Sequence, residues 1–172
     1  KHTSLELPAS TRARVLRSRE YLDARIGKTP EPIYGITTGF GSLYDKKIPH
    51  EQLEQLQENL VTSHACGTGP QVPDEIVRLM LFLKIQSLAY GNSGVPPETI
   101  DRLIDLFNAK AYPVVYEFGS LGASGDLAPL AHLCLPLLGK GEVSLNGQVT
   151  SGAEWLSSMG LEPLRSEEHT SE

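Results

Sequence analysis

GSLGASGDLAPLAH, residues 119–132, is the stretch on which the reading of this chain turns. Gly119, Gly122 and Gly125 surround Ser124, and an apolar run follows from Leu127, so a helix is expected to begin near Asp126 and run to about Leu138. Taken alone, Ala123-Ser124-Gly125 reads as a helix cap, with Ser124 or Asp126 accepting backbone N–H bonds in the first turn. A nucleophilic serine is the chemical alternative, but the G-x-S-x-G elbow that would expose one is absent. The tripeptide acquires meaning only from what stands elsewhere in the chain.

Two other stretches matter. YGITTGFG, residues 34–41, sets Tyr34 beside Gly35, Gly39 and Gly41 in a pliable loop. It lacks the Lys-Ser/Thr of a P-loop and the spacing of a dinucleotide fingerprint, and a surface turn is its plain reading. SHACGTG, residues 63–69, closes a helical pattern that starts at Pro49 and stops at Gly67 in a turn reading GTGP, residues 67–70; in that pattern Leu53, Leu56, Leu60 and His64 share one face. A histidine on such a face is more often a satisfied core residue than a functional one. His64-Ala65-Cys66 and His132-Leu133-Cys134 invite a zinc reading. Residues two apart on a helix point to different faces, and neither pair has C-x-x-C spacing, so no metal site is expected.

The bulk numbers narrow the class. The chain has 172 residues, 40% hydrophobic and 21% charged, which suits one globular domain with a core. A net charge of −6 argues against a nucleic-acid groove, which needs clustered Lys and Arg. No stretch approaches the roughly 20 apolar residues of a membrane span, and no signal peptide is visible, so a cytoplasmic protein without membrane contact is expected. Cys66 and Cys134 are the only cysteines and make no disulfide framework. Residue 1 is Lys, so an earlier start is expected. Residues 165–172, RSEEHTSE, are polar and aperiodic and resemble a translated sequencing adapter; a non-native tail is expected there.

The remaining pattern is mostly helical. A helix is expected over 10–26, capped by Ser10 or Thr11 and stopped by Gly27. Pro73, Asp74 and Glu75 open another, whose centre LMLFL, residues 79–83, is apolar all round and expected to be buried on most sides before Gly91 or Gly94 ends it. Pro97 opens a helix to about Ala109 with Ile100, Leu103, Ile104 and Phe107 on one face. PVVYEF, residues 113–118, suggests a short extended segment, and EVSLNGQVTS, residues 142–151, a hairpin turning at Asn146-Gly147. Ser151 and Glu154 spell a capping box for a last helix that stops at Gly160.

Taken together and in this order, YGITTGFG, NLVTSHACGTG and GSLGASGDLAPLAH resemble the histidine ammonia-lyase family, within the broader aromatic amino-acid lyases. The resemblance extends through most of residues 1–164 and is specific where each motif alone is not. It implies a mainly α fold, the N-terminal, active-site-bearing part of the lyase fold, with a few short strands and a Gly-rich loop. It also implies that Ala123-Ser124-Gly125 cyclises into 4-methylideneimidazole-5-one, with no external cofactor. The residue types suit that chemistry. The Gly125 nitrogen must attack the Ala123 carbonyl, and only a small, flexible residue lets the backbone fold so tightly. Loss of one water completes the ring, and loss of a second turns the Ser124 side chain into an exocyclic methylene. Asp126 matches a family aspartate implicated in this maturation.

The same resemblance makes Tyr34 the base for the substrate β-proton. An unperturbed tyrosine has a pKa of about 10, so it needs electrostatic help near neutral pH. Its glycine-flanked loop would close over the substrate. Ser63 and His64 match the position that contacts the substrate side chain. An imidazole there can hydrogen-bond a histidine or a tyrosine ring, whereas phenylalanine-type members carry apolar residues. Thr37 stands where many relatives have Asn, within flanks that match.

The implied reaction converts L-histidine to trans-urocanate and ammonia in a homotetramer whose sites draw on several subunits. A tyrosine or phenylalanine ammonia-lyase or aminomutase keeps the chemistry and changes the substrate. A non-catalytic helical interaction module is the alternative of another class. Family chains are several times longer, so these 172 residues alone are expected to be inactive and to leave LMLFL without packing partners.

Overall fold

The computed structural model of the protein describes residues 4–28, 33, 36–38, 53–120 and 127–164. Six α-helices and five short strands are described. In chain order they are α1 (Ala9–Lys28), α2 (Leu53–His64), β1 (Thr68–Gln71), α3 (Asp74–Ala89), α4 (Pro97–Ala109), β2 (Ala111–Pro113), β3 (Tyr116–Phe118), α5 (Leu127–Cys134), β4 (Glu142–Leu145), β5 (Gln148–Ser151) and α6 (Gly152–Ser158). The mainly α fold expected from the pattern is what forms.

The core is built around α4. Its apolar stripe Ile100, Leu103, Ile104 and Phe107 is buried as the spacing predicts, and Leu106 joins it. Lys110 ends the helix in a left-handed conformation, φ 54°. Val77, Leu81, Ile85 and Leu88 of α3 pack against α4, and Leu133, Val143, Trp155 and Leu156 belong to the same core. α1 lies over α3 and α4. Val15 is its buried contact, and the Arg12 guanidinium grips Asp101 through two bonds of 3.0 and 2.6 Å.

α3 departs from expectation. Within LMLFL only Leu81 is fully buried, while Leu79, Phe82 and Leu83 are exposed. Burial at 77, 81, 85 and 88 is one stripe of a helix, and Ile76, Leu79 and Leu83 form a second stripe that faces outward. The apolar composition reflects two faces, of which the described residues cover one.

Several boundaries also shift. α1 starts at Ala9, where the Pro8 carbonyl accepts the Arg12 N–H at 2.9 Å, so Ser10 and Thr11 lie inside the first turn; the helix runs through Gly27 to Lys28. α2 ends at His64, and its expected start at Pro49 lies outside the described residues. Most of GTGP lies in a strand, because β1 pairs antiparallel with β3. PVVYEF splits between two sheets, with β2 in the antiparallel order β2-β4-β5. α5 gives way to a 3-10 turn at Leu135–Leu138, where Pro136 has no N–H to continue α-helical bonding.

The hairpin forms as the sequence predicts. Asn146 and Gly147 both take positive φ, 52° and 79°, as a two-residue primed turn requires. The capping box is complete, with Ser151 Oγ accepting the Glu154 N–H and the Glu154 carboxylate accepting the Ser151 N–H.

Leu81→Ala removes a fully buried side chain and is expected to lower unfolding free energy by about 3 kcal/mol, against less than about 0.5 kcal/mol for exposed Leu79→Ala, in urea unfolding. Ser151→Ala is expected to cost about 1 kcal/mol in the same measurement.

Candidate active site

The site residues expected from the sequence divide in two. Ser63 and His64 are described, at the C-terminal end of α2. Tyr34, Ala123, Ser124, Gly125 and Asp126 lie outside the described residues, as does the tail at 165–172. The residues that flank Tyr34 and the tripeptide are described.

Ile33 and Thr37, which flank Tyr34 in sequence, are joined by two hydrogen bonds. The Ile33 N–H donates to Thr37 Oγ1 at 2.8 Å, and the Thr37 N–H returns a bond to the Ile33 carbonyl at 2.9 Å. Thr37 and Thr38 are both buried. Thr37 is thus bonded to Ile33 through both its side chain and its N–H. A short polar side chain suffices for that, which is a structural reason for a Thr at this position.

The end of α2 is held through His64 and the turn behind it. His64 Nδ1 donates to the Leu60 carbonyl at 2.5 Å, one helical turn back, with Ser63 Oγ 3.3 Å away. In the neutral ring this makes Nε2 the acceptor nitrogen. His64 is half-buried and Ser63 exposed. Chain direction then reverses through Cys66 and Gly67 into β1, and β1 lies on β3 with Thr68 opposite Phe118.

That pairing brings Gly67 against Gly119, four residues before Ala123. A Cβ at Gly119, φ 123°, would sit 3.0 Å from Gly67 Cα and 3.2 Å from Ala128 Cβ. A Cβ at Gly67 would sit 3.0 Å from His132 Nε2 and 3.1 Å from the Phe118 carbonyl. Neither residue has room for a side chain, and Gly119 adopts a backbone angle that favours glycine. α5 begins at Leu127, one residue past Asp126, and packs on α2. The structure therefore brings the end of α2, with Ser63 and His64, next to both ends of the segment that contains the tripeptide.

His132 fastens this junction, although its only signal in the sequence is half of a zinc pair that the spacing rejects. Its Nε2 accepts the Gly67 N–H at 3.0 Å, and its ring stands edge-on to Tyr116, 5.3 Å between centroids. Burial holds its pKa below the usual histidine value. Burial pushes the Cys134 thiol up, with Lys84 acting weakly the other way, so Cys134 stays protonated and inert. Among the described residues no group of three or more His, Cys, Asp or Glu is placed to hold a metal, and no helix is long and apolar enough to cross a membrane.

Comparison with known proteins gives this geometry a family. The chain is 51% identical over 158 residues to a histidine ammonia-lyase of Symbiobacterium thermophilum, a match covering 92% of this chain and 31% of that protein. It superposes on the crystal structure of histidine ammonia-lyase from Trypanosoma cruzi with TM-score 0.83 at 34% identity, over 96% of this chain and 32% of the other. It superposes as well on tyrosine aminomutase from Streptomyces globisporus, with TM-score 0.85 at 34% identity over 95% and 30%. The chain thus spans about a third of the length of the relatives it matches. The family model for aromatic amino acid lyases matches residues 1–170, and this chain belongs to that family.

Proposed function

We propose that this chain is the N-terminal, active-site-bearing part of a histidine ammonia-lyase, acting in the cytoplasm as a homotetramer and converting L-histidine to trans-urocanate and ammonia. The observation that carries this reading is the junction of Gly67, Gly119 and His132, which holds the end of α2 next to both ends of the segment containing Ala123-Ser124-Gly125. The 51% identity to a histidine ammonia-lyase favours histidine over tyrosine or phenylalanine as the substrate.

Ala123-Ser124-Gly125 fits the 4-methylideneimidazole-5-one group. β3 ends at Phe118 and α5 starts at Leu127, so the tripeptide lies in a connection between two fixed ends. Gly125 is the residue type the ring closure needs, and the first N–H groups of α5 follow directly. An α-helix leaves those groups without intrahelical partners, which puts partial positive charge next to the tripeptide. Asp126 between them would assist maturation. Once formed, the group would supply an electrophile that makes the substrate amine a better leaving group.

The chain's own residues do the rest. Tyr34 Oη takes the β-proton, from a loop that closes and excludes water. The hydrogen bonds between Ile33 and Thr37 hold the described residues on either side of Tyr34. His64 Nδ1 bonds to the Leu60 carbonyl, which holds the ring in the orientation from which it would contact the substrate imidazole.

In the full-length protein, purified enzyme is expected to release trans-urocanate from L-histidine and to weigh two waters less than its encoded mass. Ser124→Ala is expected to lose both. Cinnamate, coumarate or a β-amino acid as the product would transfer the assignment to the tyrosine or phenylalanine enzymes, and an unmodified, inactive protein would favour a non-catalytic helical module. Tyr34→Phe is expected to lower kcat about a hundredfold or more. His64→Leu is expected to lower kcat/KM for histidine more than about tenfold, through lost hydrogen bonding to the substrate ring.

A further inference from the structure

We propose that His132 is a positioning residue for this active site, acting only as the neutral Nδ1–H tautomer, whose Nε2 clamps the Gly67 N–H and so fixes Ser63-His64 against the start of α5. The inference rests on the function proposed above and extends it to a residue that touches no substrate.

The geometry leaves the ring one role. A backbone N–H can only donate, so the 3.0 Å bond from Gly67 makes Nε2 an acceptor and places the proton on Nδ1. The ring cannot slide away, because Tyr116 stands edge-on to it from β3 and its backbone belongs to α5 beside the fully buried Leu133. Nor can Gly67 move toward it, since a single added carbon there already meets Nε2 at 3.0 Å. Gly67 lies three residues after His64, so holding Gly67 sets where α2 ends. Gly119 lies against the same Gly67, so the clamp also sets where the connection to the tripeptide begins.

Protonating His132 gives Nε2 a hydrogen that meets the Gly67 N–H head-on, and the clamp is lost. Among the described residues, the ionisable groups on the elements packed around α5 are Glu58 and His64 on α2, Cys66 in the turn, Tyr112 on β2, Tyr116 and Glu117 on β3, and Cys134 on α5 itself. None of them supplies the shift at His132, which comes from burial alone and is downward from 6.5. The unfolded chain therefore takes up the proton first. Stability from the neutral ring is complete above about 6.5 and declines as pH falls from there toward the lower folded value.

The test uses the full-length enzyme and L-histidine. At pH 8, His132→Leu is expected to raise KM about tenfold or more by letting His64 shift, with kcat changed less. His132→Gln keeps an acceptor near the Nε2 position and is expected to stay within about threefold of wild-type KM at pH 8. Between pH 7.5 and 5.5 the wild-type KM is expected to climb more steeply than that of His132→Gln. The substrate imidazole titrates in both proteins, so only the difference reports on His132. Should His132→Leu fail to fold, the His132→Gln comparison still decides. Equal KM values for His132→Leu and wild type at pH 8, or parallel pH dependence in wild type and His132→Gln, would overturn the proposal. Ring-nitrogen shifts from solid-state NMR of protein labelled with 15N-histidine, assigned by difference against His132→Gln, read the tautomer without any turnover. An Nδ1–H ring supports the clamp and an Nε2–H ring sinks it, whereas wild type that leaves histidine untouched counts against the proposed function instead.

Discussion

Gly67 sits against the His132 ring and the Phe118 carbonyl, and Gly119 against the Gly67 backbone, so tightly that a side chain at either position would have to displace its neighbours, and the candidate site depends on that approach. β1 and β3 are short, and their pairing is irregular between Thr68 and Gln71. Two such strands would be a weak support by themselves. They are sufficient here because α5 stands against β3 and against the residues flanking the pair, with His132 bonded to Gly67 just before β1 and Ala128 pressed on Gly119 just after β3. The end of α2 and the start of α5 consequently cannot move independently.

α5 joins this site to the rest of the molecule. Leu133 is fully buried in the main core with Leu103, Leu106 and Trp155, while its neighbour His132 faces Gly67. Adjacent residues on one short helix therefore serve packing and positioning, and a disturbance in the core beneath Leu133 reaches the site without crossing any loop. Interiors packed like solids pass on such displacements with little loss.

Local chemistry is the legible part of this sequence. The α4 stripe, the Asn146-Gly147 turn and the Ser151–Glu154 capping box each depend on residues within a few positions of one another, and each forms as read. What the sequence hides depends on distant partners. GTGP resembles a turn because glycine and proline are turn formers, but most of it becomes β1 because β3 lies alongside. His132 carries no periodic signal of its own, since its partner Gly67 is remote in sequence and bonds through the backbone. Ser63 and His64 are legible as a motif, while the Nδ1 bond that orients the His64 ring is not.

α3 carries a last consequence. Its inner stripe is filled by α4 and the core, and its outer stripe of Ile76, Leu79 and Leu83 meets solvent. A surface that covers the outer stripe binds the folded chain and not the unfolded one, so it adds RT ln(1 + [L]/Kd) to the folding free energy. The melting temperature of this chain is therefore a function of what surrounds it and at what concentration, and not a constant of its 172 residues.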